Sequence, residues 1–243
     1  MTQNFTEVWA YLAASPLLGL TVTLVAYQIA YWLFRKAKFH PAANPVLLAV
    51  LILVPLLQLT GTSYKTYFDG AQFVHFLLGP ATVALAIPLY GQIRRLHAMV
   101  LPLAVALLAG SATAIVSALV IGKLLGASTV TLISLAPKSV TTPIAMGIAE
   151  KLGGLPSLAA LMVLTTGIIG AVGGSGLYRL LRIKDQAMKG FAMGIAAHGI
   201  GTARAFQENE QMGAFSALAM GLNGLLTALL LPLLLPLFSA WLR

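Results

Sequence analysis

Five stretches of this chain run for about 20 residues or more without a charged side chain, the length an α-helix needs to cross a bilayer. They are residues 16–34, 71–90, 98–121, 156–178 and 215–241. A sixth, shorter stretch covers 44–60 and opens on Asn44-Pro45. Asparagine caps a helix well, and proline suits its first turn. The chain is 59% hydrophobic and 9% charged, against roughly 25% charged residues in soluble domains. A soluble fold cannot hide this much apolar surface. The expected class is an all-α polytopic membrane protein, with about six full spans and two further interrupted segments. Aromatic residues stand at several span ends (Tyr31, Trp32, Tyr90, Tyr178 and Trp241), where amphipathic rings meet the headgroups. Residues 6–15 read as an interfacial turn or an extension of the first span. The first 34 residues hold no Lys or Arg, which argues against a cleavable signal. No lipidation motif is expected.

The formal net charge of +9 would suggest nucleic acid in a soluble chain. Here the basic residues cluster in short loops: Arg35, Lys36 and Lys38; Arg94 and Arg95; Arg179, Arg182, Lys184 and Lys189. That clustering reports orientation, and no basic stripe lies on a polar element, so nucleic acid is not an expected partner. Without cysteine, disulfides, thiolate metal sites and thiol nucleophiles are excluded. The run Gly170-Ala-Val-Gly-Gly-Ser-Gly176 follows no strand and precedes no Lys-Ser/Thr, so it reads as close helix packing and not as a phosphate loop. No metal or cofactor is expected.

The two remaining apolar segments, 128–153 and 187–213, are each broken in the middle. The breaks are Leu135-Ala-Pro-Lys-Ser-Val-Thr-Thr-Pro-Ile-Ala145 and Ile195-Ala-Ala-His-Gly-Ile-Gly-Thr-Ala-Arg-Ala205. Shifted by 60 positions, Ala136 meets Ala196, Lys138 meets His198, Thr142 meets Thr202, and Gly153 meets Gly213. Paired interrupted helices at corresponding positions are the sequence mark of a transport site. Each could cross the membrane as a broken helix, or enter and return as a hairpin. With two hairpins, the nine residues Arg35, Lys36, Lys38, Arg94, Arg95, Arg179, Arg182, Lys184 and Lys189 share one side. Lys65, Lys123, Lys151 and Arg243 then share the other. With two crossings the split is six against seven and the bias vanishes. Charge bias favours hairpins, and a crossing arrangement stays open. Two hairpins separated by one span form an inverted pseudo-repeat with tips near the midplane.

The chemistry of the breaks points to an anion. Thr141 or Thr142 can cap the second arm of the first break, with Pro143 in its first turn. The free N–H groups there carry the positive end of the helix dipole, and Lys138 and Ser139 stand beside them. In the second break Gly199 and Gly201 offer backbone freedom, Thr202 is the candidate cap, and Arg204 adds charge. His198 can titrate near physiological pH. Neither break carries a carboxylate at its centre, which suits a small carboxylate substrate and argues against cation exchange. Each residue has a plainer reading. The plainer reading of Lys138 is a snorkelling side chain or a structural counter-ion, that of Arg204 a pair with Glu208 one turn away, and that of His198 a satisfied packing residue. Asn223, in mid-span, is a candidate ligand or a bond to a neighbouring helix. His75 reads as structural. Lys138 next to Ser139 lacks the geometry of a serine–lysine hydrolase, so no catalytic residue is expected.

At these residues the chain resembles the LrgB/CidB family of bacterial membrane proteins. The stretches that carry the resemblance are Phe76-Leu-Leu-Gly-Pro-Ala-Thr-Val-Ala-Leu-Ala-Ile-Pro88, Pro137-Lys-Ser-Val-Thr-Thr-Pro-Ile-Ala-Met-Gly-Ile148, Gly194-Ile-Ala-Ala-His-Gly-Ile-Gly-Thr-Ala-Arg-Ala205 and Gly213-Ala-Phe-Ser-Ala-Leu-Ala-Met-Gly-Leu-Asn-Gly224. The resemblance implies one LrgB-like domain over 1–243, with scaffold spans in 1–121 and a paired broken-helix core in 122–243. It implies a place in the bacterial inner membrane, a small LrgA/CidA-type membrane protein as partner, and an oligomer. Two functions follow from it. One is a carrier of small monocarboxylates of the pyruvate, glycolate, glycerate or lactate class. The other is a holin- or antiholin-like regulator of murein hydrolase export and lysis. The length fits a bare membrane domain, without the fused partner region of plastid relatives.

Overall fold

The computed structural model describes residues 16–242, and every regular element among them is helical. The interfacial turn expected over 6–15, and the side chains of His75 and Trp241, lie outside the described residues. The helices are α1 (Pro16–Lys36), α2 (Pro45–Leu59), α3 (Tyr64–Phe76), α4 (Leu78–Ala84), α5 (Ala86–Tyr90), α6 (Ile93–Ala98), α7 (Val100–Leu124), α8 (Thr129–Leu135), α9 (Thr142–Leu152), α10 (Pro156–Leu180), α11 (Gln186–Glu208) and α12 (Glu210–Leu242). Five stretches are long and apolar enough to span: Leu17–Lys36, Tyr64–Tyr90, Val100–Leu124, Pro156–Leu180 and Glu210–Phe238. The sixth expected span is the shorter helix Pro45–Leu59. Its entry is built as its residues suggest: the Asn44 Oδ1 accepts from the Val46 and Leu47 amides at 2.9 and 3.2 Å.

Polarity is reversed relative to a soluble core. Leu101, Leu108, Leu225, Leu229 and Leu233 face outward, while Ser111, Ser139, His198, Thr202, Ser216 and Asn223 are buried. Lipid tails accept the leucines at no cost, whereas polar groups at membrane depth need partners inside the protein.

The chain forms two compact units, Met1–Ala84 and Leu85–Arg243. In the first, α1 and α3 are tied by a 2.7 Å bond between the Thr23 and Tyr67 hydroxyls. Helix α7 belongs to the second unit, because Ile115 and Leu119 share a core with Leu132, Ile148 and Leu231.

In the second unit both broken segments fold back. The Leu155 amide donates to Ser134 Oγ at 2.8 Å, yet a continuous helix would hold these residues about 30 Å apart. Ala127 and Leu152, at the two ends of the first segment, pack on one cluster. In the second segment Met193 and Ala205 share a cluster. The Tyr178 hydroxyl donates to the Lys189 carbonyl at 3.0 Å, and Ser175 bonds Glu208. Both ends of the second hairpin therefore lie at the C-terminal end of α10, and both ends of the first lie at its N-terminal end. One crossing separates two re-entrant hairpins, which makes the pair inverted.

Helix α10 is the spine between them. Glycines let α11 lie close against it: a Cβ at Gly170 would stand 2.5 Å from that of Ala197, and one at Gly174 2.5 Å from Met193 Cε. This is the close packing expected of the run 170–176.

Candidate functional site

The hairpin tips meet beside Val163 of α10. Val163 packs with Val140, Ala145 and Ala149 of the first hairpin. Its carbonyl accepts a 2.9 Å bond from Nε2 of His198, at the tip of the second. This bond requires the proton on Nε2. His198 is 4% exposed, and Lys138 lies within electrostatic reach of it.

The first tip is a six-residue turn, 136–141, between α8 and α9. Thr141 takes the N-cap position of α9 with extended backbone, and Pro143 follows within the first turn. The Thr141 hydroxyl makes no capping bond, so the cap is backbone geometry alone. Pro137 is fully buried. Lys138 Nζ donates to Ser139 Oγ at 3.2 Å.

The second tip is made differently from expectation. The break falls on His198 itself, at φ 41° and ψ −134°, while Gly199 and Gly201 keep helical backbone. A β-carbon costs energy in that region, so His198 is held there by its surroundings. Gly201 serves contact and not flexibility: a Cβ on it would stand 2.6 Å from that of Ala197 and 2.9 Å from Met193. Thr202 does not cap the arm. Its hydroxyl donates to the His198 carbonyl at 2.8 Å and bonds Ser216 Oγ at 2.9 Å. Thr202 thereby ties the break at His198 to Ser216 of α12.

Asn223 of α12 joins the two tips. Its Nδ2 donates to the Ser139 and Ile195 carbonyls, each at 3.1 Å. Its Oδ1 accepts from Ser111 of α7 at 2.6 Å and from Thr227 at 3.4 Å. The amide is saturated by protein groups, so Asn223 works here as a tie between helices. Arg204 pairs with Glu208 at 2.9 Å, toward the open end of its hairpin.

A cavity of about 870 Å³ reaches the first tip. It runs from Met99 and Met188 to Lys138 and Ser139, between α7, α10 and the first arm of α11. Of the residues expected to hold substrate, Lys138 and Ser139 line it. Thr141, Thr142, His198, Gly199, Gly201, Thr202, Arg204 and Asn223 are not among its lining residues. Among the described residues, Lys138 is the one charged side chain on its wall. The arrangement can receive an anion and return it to the side where Arg95 pairs with Asp185.

The sequence reading missed Ser111, Ser216 and the Val163 carbonyl. Two serines within apolar runs were a usable signal, since buried polar groups at membrane depth need partners. A backbone carbonyl carries none.

The sequence matches the LrgB-like family over residues 23–237. It is 30% identical to the antiholin-like protein LrgB of Bacillus mycoides (strain KBAB4), over 91% of this chain and 96% of that protein. The antiholin-like LrgB proteins of Bacillus cereus (strain B4264) and Bacillus anthracis (strain CDC 684 / NRRL 3495) are 29% identical over the same shares. No solved structure matches. A match across nearly the whole chain, motif stretches included, means that the chain belongs to the LrgB-like family.

Proposed function

We propose that this protein is a secondary carrier for small monocarboxylates in the bacterial inner membrane, of the pyruvate, glycolate, glycerate or lactate class. One observation carries the reading: two inverted re-entrant tips meet at mid-protein, and a cavity ends there on Lys138 and Ser139. A lysine at membrane depth is costly unless a ligand or a protein partner answers its charge. In this reading the carboxylate sits on the Lys138 ammonium and the Ser139 hydroxyl. The N-terminal end of α9, with Thr141 and Thr142, supplies the helix dipole behind them. His198, Gly199, Gly201 and Thr202 form the matching tip, which receives the anion when the opposite side opens, and Arg204, nearer the open end of that hairpin, supplies positive charge on its path. Coupling to protons would fall to His198. Its Nε2 is committed to Val163, so Nδ1 is the atom that takes or releases the proton. Basic loops set the cavity's open end toward the cytoplasm. A small LrgA/CidA-type protein is the expected partner.

The test is uptake of labelled pyruvate, glycolate and glycerate into liposomes holding the purified protein, with and without that partner. The expected result is saturable uptake above empty vesicles, reduced at least about tenfold in Lys138→Gln, since a charge-assisted contact is worth roughly 1.5–3 kcal/mol. No uptake of any of the three would sink the carrier reading.

A second reading rests on the names of the relatives, antiholin-like LrgB. It makes the chain a regulator of murein hydrolase export and lysis. That class predicts leakage of unrelated solutes without saturation.

A further inference from the structure

The cavity is much larger than a two- or three-carbon acid. Its volume is about 870 Å³, and cavities of roughly 300–1,000 Å³ ordinarily enclose drug-sized ligands. Its polar groups are few and uneven. Lys138 and Ser139 close one end, Thr113 and Thr166 stand on the walls, and the remaining lining is apolar side chains, two methionines among them, or glycine. No acid lines it. The wall formed by Phe191 and Ile195 is firm, because both are packed into a core with Leu103 and Phe215. Opposite, Ala106 and Ala109 of α7 leave the space open.

One cation at the end of an apolar chamber selects for an amphipathic anion. A hydroxyl placed along the chamber would lie against alanine and isoleucine, losing its water without regaining a full set of bonds. A methylene placed there would gain about fourfold in affinity. Resting on the carrier reading above, we propose that the site takes a monocarboxylate with an apolar chain, of the branched or aromatic keto acid kind. The carboxylate lies on Lys138 and Ser139, and the chain extends past Ala106 and Ala109 toward Met99.

The test is inhibition of labelled pyruvate and labelled ketoisocaproate uptake in liposomes holding the intact protein. The unlabelled competitors are pyruvate, ketobutyrate, ketovalerate, ketoisocaproate, phenylpyruvate and glycerate. The half-inhibitory concentration is expected to fall by about fourfold per added methylene, to stay low for the branched and aromatic acids, and to be highest for glycerate. A flat or rising series, with labelled pyruvate still entering saturably, overturns the apolar-chain assignment and leaves the carrier standing. No saturable uptake of either label overturns both. Filling the chamber with Ala109→Phe should weaken ketoisocaproate about tenfold more than pyruvate, the cost of modest overpacking. Equal effects on the two acids would put the chain elsewhere and overturn the proposal. Should that variant fail to fold, the competitor series on the unaltered protein decides alone.

Discussion

His198 and Asn223 show how two polar side chains can hold a break at membrane depth. His198 takes a backbone conformation that disfavours any β-carbon, and its ring bonds Val163. His198→Gly and His198→Ala both lose the ring, but only alanine keeps the strain. The glycine variant should therefore be more stable than the alanine variant by about 1 kcal/mol or more, read as thermal unfolding in detergent. Equal stability would contradict the strained tip. Asn223→Leu strands the Ser111 hydroxyl and two carbonyls. It should cost about 1–3 kcal/mol in the same measurement. Polar residues in apolar runs stand out, so Lys138, His198 and Asn223 were all legible as special. What each does was less so. Asparagine can bind a ligand or tie helices, and only its four partners decide between them. Gly199 and Gly201 looked like the hinge because glycine permits one. The hinge fell on their neighbour, and Gly201 is needed where two arms touch.

Among elements, the hairpin pair governs the rest, and α12 carries the second hairpin by close contact. A Cβ at Gly190 would stand 2.0 Å from the Met212 carbonyl oxygen, and one at Gly194 2.1 Å from that of Ser216. No side chain can move aside there, because the obstacle is backbone. Gly190→Ala and Gly194→Ala should each destabilise by about 1–3 kcal/mol or prevent folding. Gly173→Ala and Gly176→Ala, which face open space, should stay within about 0.5 kcal/mol. Yield of monodisperse protein and its melting temperature separate the two groups. Fold-back is equally open to test, because the chain has no native cysteine. Cysteines at Lys123 and Lys151 should label from one side of the membrane, and one at Lys184 from the other. Labelling of Lys123 and Lys151 from opposite faces would contradict the first hairpin. Loop charge pointed to this topology before any contact was known, since long-range orientation is written in lysine and arginine. Which helix pairs with which was not legible: hydropathy marks lipid contact and is silent on partners.

The whole molecule is two helical units, of which the second holds both tips and the cavity. Its family is settled by a match over most of the chain, and its relatives carry an antiholin-like name. A simple lesion-former has no use for an inverted pair of tips or for a lysine at the inner end of a one-sided cavity; in the carrier reading both have a role. The distinction is between exchange and leakage. The decisive measurement is counterflow: liposomes holding the protein are loaded with unlabelled pyruvate and given a trace of labelled pyruvate outside. The carrier account predicts transient accumulation of label inside above its outside concentration, lost in Lys138→Gln. Equilibration without overshoot, accompanied by release of an unrelated trapped solute, would contradict it.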